Sequence, residues 1–185
     1  MTFAFAAAAF FLAGPPRFLG PPEKKPAEGG PAALSPGDAA PFFSGPVQNP
    51  DAAGLNRFDL AQLVGRRAAG RSPVKAVLVS LFSSSSKSSR KELVALEALY
   101  TQYKQRGLMV VSLATDPARL LHAHRVSYPV VEDSDGAIAR RYLGPNPQFP
   151  AAVIIDRYDK VVSLKQGYRT EPAALFRTEI ESALR

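Results

Sequence analysis

Val77-Leu-Val-Ser-Leu-Phe82 runs into Ser83-Ser-Ser-Ser-Lys-Ser-Ser89 and then into Arg90-Lys-Glu-Leu-Val-Ala-Leu-Glu-Ala-Leu-Tyr100. The first stretch is short, continuous and β-branched, the pattern of a central strand covered on both faces. In the third, Leu93, Leu96, Tyr100 and Tyr103 recur at spacings of three and four, so one face of a helix over Ser86 to Gln105 is apolar. Gly107 stands just past its end, where a helix closes on a left-handed residue. The decisive feature is therefore a buried strand that breaks into a helix through a run of serines.

The rest of the chain repeats the alternation. Leu108 to Ala114 reads as a second apolar strand. Asp116-Pro117 supplies an N-cap and a proline at the first helical position, opening a helix to about His124. Tyr128 to Glu132 reads as a short strand, and Asp133-Ser-Asp-Gly136 opens a small helix with Ile138 and Tyr142 on one face. Ala151 to Asp156 and Val161 to Gln166 form a hairpin about Arg157-Tyr-Asp-Lys160. Glu171 to Arg185 closes the chain as a helix, with Leu175, Phe176, Ile180 and Leu184 facing inward. Such an order predicts an α/β sandwich whose early crossovers are parallel and whose final hairpin is antiparallel.

Upstream the composition changes. Gly14 to Pro50 is dense in proline, glycine and alanine, which bury too little surface to offset backbone entropy. Leu34 to Phe42 is the first stretch there with a recognisable pattern. Asn56 to Val64 reads as a short strand or a single helical turn, and Gly65 to Pro73 as a basic loop. Phe3 to Ala13 is an unbroken apolar run, too short for a stable membrane span and of the size of a signal-peptide core. Leu12-Ala13-Gly14 starts like a lipoprotein cleavage box, but Pro15 stands where the lipidated cysteine belongs. The run reads as an export signal, intact or degenerate; an apolar tail is the competing reading. The expected division is a signal-like segment at 1–14, a linker at 15–33 and one folded domain at 34–185.

Charge and composition narrow the chemistry. The 185 residues carry a net charge of +7, with 46% apolar residues, and contain no cysteine. Disulfides, thiolate catalysis and cysteine-held zinc or iron–sulfur sites are thereby excluded. The cations gather in two local clusters, Lys87, Arg90 and Lys91, and Arg66, Arg67 and Arg71. Neither alternates with aromatics as a single-strand nucleic-acid groove would, so no nucleic-acid partner is expected. His122 and His124 are two apart and point to different faces of a helix, which counts against a paired metal site and against a base for a serine hydrolase. No metal and no cofactor are expected.

From about Leu34 onward the chain resembles the thioredoxin-like proteins of the TlpA/ResA and redoxin (AhpC/TSA-like) type. Four segments carry the resemblance, in the family's order. Gly37-Asp38-Ala39-Ala40-Pro41-Phe42 is similar to the redoxin opening motif. Leu81-Phe82-Ser-Ser-Ser-Ser86-Lys-Ser-Ser89-Arg-Lys-Glu92-Leu resembles its Cys-x-x-Cys segment. Tyr128 to Tyr142 is similar to the family's inserted strand and helix, and Phe149-Pro-Ala-Ala-Val-Ile-Ile-Asp156 to the strand that begins with a cis-proline. The resemblance implies a thioredoxin-like fold: a central mixed sheet flanked by helices, with an N-terminal extension and an inserted strand–helix unit. It also implies that Phe82, Ser85, Ser86, Lys87, Ser88, Ser89, Glu92, Phe149 and Pro150 share one face.

The departures decide the function. Ser86 falls where the family has the attacking thiol and Ser89 where it has the resolving one; Ser88 replaces a frequent proline and Ser85 a tryptophan. Thiol–disulfide exchange needs a thiolate attacking sulfur, which a hydroxyl cannot replace. The expected function is a redox-inactive domain of the thiol:disulfide oxidoreductase lineage, exported to the periplasm or envelope, that binds a protein or peptide at the former active-site face. The alternative is a member of that oxidoreductase and antioxidant family whose cysteines were lost or engineered to serine. Engineering of two cysteines accounts for Ser86 and Ser89 but not for Ser85 and Ser88. A metal-delivery relative and a domain without any ligand are weaker readings. Membrane contact is expected only through the N-terminal segment where it is retained.

Overall fold

The computed structural model describes residues 32–83, 87–167 and 172–185. Phe3 to Ala13 and the expected linker up to residue 31 lie outside them.

A five-stranded mixed sheet forms the centre of the molecule. Its strands run in the order β5–β4–β3–β6–β7, with β3 at Ala76–Phe82, β4 at Leu108–Ala114, β5 at Val130–Glu132, β6 at Ala151–Asp156 and β7 at Val161–Gln166. β3 pairs parallel with β4, and β4 with β5, as their helical crossovers require. β6 lies antiparallel to both β3 and β7. All seven residues of β3 are buried, so the continuous apolar run is the central strand that both faces cover.

Alternation along β3 sorts the core into two layers. Val77, Val79 and Leu81 pack with Phe43, Phe58, Tyr142 and Val153 on one face. Leu78 and Phe82 pack with Leu93, Leu96, Tyr103, Phe176 and Ile180 on the other. The second layer is covered by α2 (Lys87–Tyr103) and α5 (Pro172–Ala183). The Tyr103 hydroxyl donates to Glu181 Oε1 over 2.8 Å and joins those two helices. Leu99, absent from the expected apolar set, is buried on α2, while Tyr100 is only half-buried. A 3-10 turn at Lys104–Arg106 ends the helix on Gly107, whose φ of 103° suits glycine.

The first layer is covered by the N-terminal segment, and here composition misleads. Residues from Leu34 to Pro50 have the make-up of a linker, yet Ala40, Phe43 and Val47 are buried. β1 (Ser44–Pro46) pairs antiparallel with β2 (Arg57–Asp59), and a 3-10 turn at Leu60–Gln62 follows, so the Asn56–Val64 stretch holds both a strand and a turn. Asn49 locks this unit to the sheet edge. Its amide donates to the Val126 and Tyr128 carbonyls, and its oxygen accepts from the Val130 amide. A single side chain thus satisfies three main-chain groups, which no hydropathy pattern signals. α1 (Pro50–Ala53) lies between β1 and β2.

The inserted unit is β5 followed by α4 (Ala137–Leu143). Both Asp133 oxygens accept amides at the start of α4, from Ile138 and Ala139. The expected Tyr128–Glu132 strand is shorter, because Ser127 and Tyr128 form a bend and pairing begins only after Pro129. α3 (Pro117–Ala123) begins as expected, with the Asp116 carboxylate accepting from the Arg119 amide.

Candidate ligand-binding face at the carboxyl end of the central strand

Register brings the two halves of the candidate site together. Leu81 is paired with Ala151, so Phe82 ends β3 beside Pro150, just before β6. α2 starts at Lys87, only a few residues further on. Phe82 is fully buried, Phe149 half-buried and Pro150 buried. The Phe149–Pro150 peptide bond is cis. Lys87, Ser88 and Ser89 are the first residues of α2 along the backbone, while Ser85 and Ser86 lie outside the described residues.

The main chain around Pro150 is partly occupied. The Pro150 carbonyl accepts from the Gly167 amide over 2.9 Å, and the Gln148 amide donates to Gln166 Oε1. Among the described residues the Phe149 amide and carbonyl take no hydrogen bond. A main-chain donor and acceptor at a sheet end are a ready partner for an extended chain.

Polar groups are buried among the central strands and α2. Glu92 is a buried carboxylate on α2, 3% exposed. Ser80 and Ser112 are register partners on β3 and β4, and both are fully buried. The Ser80 hydroxyl has no hydrogen-bond partner among the described residues. Burial pushes the Tyr128 phenol well above its ordinary range; the Ser112 hydroxyl opposes this, and the Glu97 and Glu92 carboxylates add to it. Sequence reasoning found Glu92 but missed Ser80, Ser112 and Tyr128, which the sheet register gathers from three separate segments.

His122 is exposed on α3, and His124 ends that helix in extended conformation. Among the described residues no group of three His, Asp or Glu side chains could hold a metal. What the face offers chemically is main-chain hydrogen bonding, an aromatic edge at Phe149 and the start of a long helix. No cysteine exists anywhere in the chain to supply a thiolate.

The AhpC/TSA family model matches residues 36–164, and the chain belongs to that family. The chain is 26% identical over 102 residues to the thiol-disulfide oxidoreductase ResA of Bacillus thuringiensis and to that of Bacillus cereus. That match covers 52% of this chain and 58% of each relative, so the chain spans less than two-thirds of the curated relatives it matches. Among solved structures, a protein of Chlorobium tepidum provisionally assigned as thiol:disulfide interchange protein DsbE superposes with a TM-score of 0.68. The identity is 22%, with 83% of this chain and all of that one covered. The thioredoxin domain of a thiol-disulfide oxidoreductase from Bacteroides vulgatus superposes with a TM-score of 0.61 at 19% identity, covering 83% and 100%. At those identities the likeness speaks for the fold, which is thioredoxin-like.

Proposed function

We propose that this protein is a redox-inactive, exported member of its family that binds an extended protein or peptide segment at the face formed by Phe149, Pro150 and the start of α2. The observation that carries the reading is the pairing of a chain without cysteine with a Phe149 main chain that takes no internal hydrogen bond among the described residues. Electron transfer through a dithiol needs sulfur, whereas strand addition needs only an amide and a carbonyl. The start of α2, at Lys87, would flank the bound segment from the helix side. Export is supported by the apolar Phe3–Ala13 run, whose size is that of a signal core.

Binding of S-carboxymethylated insulin B chain, which has no free thiol, tests the docking role. The full chain is expected to bind it, and Phe149→Ala to weaken binding by about tenfold, the loss of one well-placed aromatic contact. Equal binding by the two proteins would contradict the assignment of this face.

A further inference from the structure

At the opposite end of the sheet the surface has a different character. The Gly65–Ser72 segment and the β6–β7 turn form a groove of about 660 Å³ lined by Arg66, Arg157, Tyr158, Asp159 and Lys160. Arg67 and Arg71 flank it in sequence, and both are exposed, as are Arg66, Arg157 and Lys160. Among the described residues none of these five cations has a hydrogen bond or ion pair from its side chain. Among the described residues Asp159 is the one carboxylate lining the groove; the nearby Asp156 carboxylate accepts from the Tyr158 and Lys160 amides.

Two of the exposed large apolar side chains lie at this same end. Tyr158 is 70% exposed and Phe42 is 42% exposed. The ring of Phe42 and the Asp159 carboxylate both close on Gly65, where an added Cβ would stand 3.2 Å from Phe42 Cζ and 2.9 Å from Asp159 Oδ2. The Gly65 amide donates to the Arg157 carbonyl and holds the two segments together. Arg141 adds a further cation by donating to the Phe42 carbonyl. Exposed rings among unpaired cations are the composition of a surface that meets lipid headgroups, where rings enter the interface and cations meet phosphate.

Chain direction supplies an independent argument. Gly37 and Ala40 donate to the Val161 and Asp159 carbonyls, and Val161 donates to Asp38. The N-terminal segment is therefore fastened to the very hairpin that bears Arg157, Tyr158 and Lys160. The apolar Phe3–Ala13 run precedes this fastening in the chain. A chain that keeps that run in a bilayer would therefore enter the folded domain at its basic end.

From these observations we infer that the Gly65–Ser72 segment and the β6–β7 turn dock the domain on an anionic lipid surface. β3 runs from this end to Phe82 with seven residues, roughly 20 Å of strand. Docked this way, the domain holds the Phe149–Pro150 face away from the bilayer.

Sedimentation of the full chain with vesicles tests the inference. The probes are phosphatidylglycerol-rich vesicles and pure phosphatidylcholine vesicles, which offer the Phe3–Ala13 run the same hydrocarbon. Wild type is expected to bind the anionic vesicles about tenfold or more tightly than the neutral ones, and to lose that preference at high salt. A variant carrying Arg66→Gln, Arg67→Gln, Arg157→Gln and Lys160→Gln is expected to lose the preference. A control carrying Arg119→Gln, Arg125→Gln, Arg140→Gln and Arg177→Gln, with the same net charge, is expected to retain most of it. All eight positions are exposed, and circular dichroism verifies that both variants fold. An unchanged preference in the first variant, or an equal loss in the control, would overturn the inference. Capture of poly-glutamate without vesicle binding would also overturn it and make the occupant an acidic protein segment.

Discussion

Phe82 and Tyr158 lie towards opposite ends of the same sheet, the first fully buried and the second 70% exposed. The end that carries Phe82 is assembled from segments distant in sequence, with apolar side chains packed under α2 and a carboxylate and hydroxyls buried among them. The end that carries Tyr158 is made of turns, and Arg66, Arg67, Arg71, Arg157 and Lys160 stand in solvent without side-chain partners among the described residues. Substitution should therefore be costly at one end for folding and at the other only for binding.

The largest effect is expected from Phe82→Ala, which removes a fully buried ring from the second core layer and should cost about 3–5 kcal/mol. Tyr158→Ala should stay within about 0.5 kcal/mol of wild type, because its ring is exposed. Urea titrations of the two variants measure the contrast directly; similar midpoints would break it.

A second effect separates the core from the surface by pH. Burial raises the phenols of Tyr128 and Tyr142 above the ordinary 10.0. The folded chain then keeps protons that the unfolded chain releases. This contribution is whole below about pH 10 and is lost as pH rises beyond it, by roughly 1.4 kcal/mol per pH unit for each tyrosine. Urea midpoints between about pH 9 and pH 11 should fall accordingly, and Tyr128→Phe should make the fall shallower. A parallel fall in wild type and variant would contradict the assignment to this buried phenol.

The smallest effect concerns the Ser80 hydroxyl. Ser80→Ala removes a buried hydroxyl that lacks a partner among the described residues and should leave stability unchanged or raise it by up to about 1 kcal/mol. A loss above that size would show that the hydroxyl is satisfied, for instance by a buried water.

The difference between the two ends also explains what could be read from the chain alone. β4, β6 and β7 match their expected bounds because each is a strand whose limits are written in local hydrophobicity and turn chemistry. That Phe82 and Pro150 meet on one face follows from the resemblance alone, and the Leu81–Ala151 pairing that brings them together leaves no local trace in the sequence. Composition alone reads the Leu34–Pro50 segment as linker-like, and only its resemblance places it in the domain, because its anchors are sparse: Phe43, Val47 and the three hydrogen bonds of Asn49 hold a stretch rich in proline and glycine. Likewise, Arg66, Arg67 and Arg71 were visible as a cluster, but their meeting with Arg157 and Lys160 depends on the Gly65–Arg157 main-chain bond. The buried Ser80, Ser112 and Tyr128 were invisible for the same reason.

Turnover of insulin disulfides by dithiothreitol tests the central claim most directly. The wild-type chain is predicted to leave the reduction rate at background, because hydroxyls at Ser86 and Ser89 cannot form the mixed disulfide. The Ser86→Cys/Ser89→Cys variant is predicted to acquire a reducible disulfide and to accelerate the same reaction. Acceleration by the wild-type chain would contradict the account.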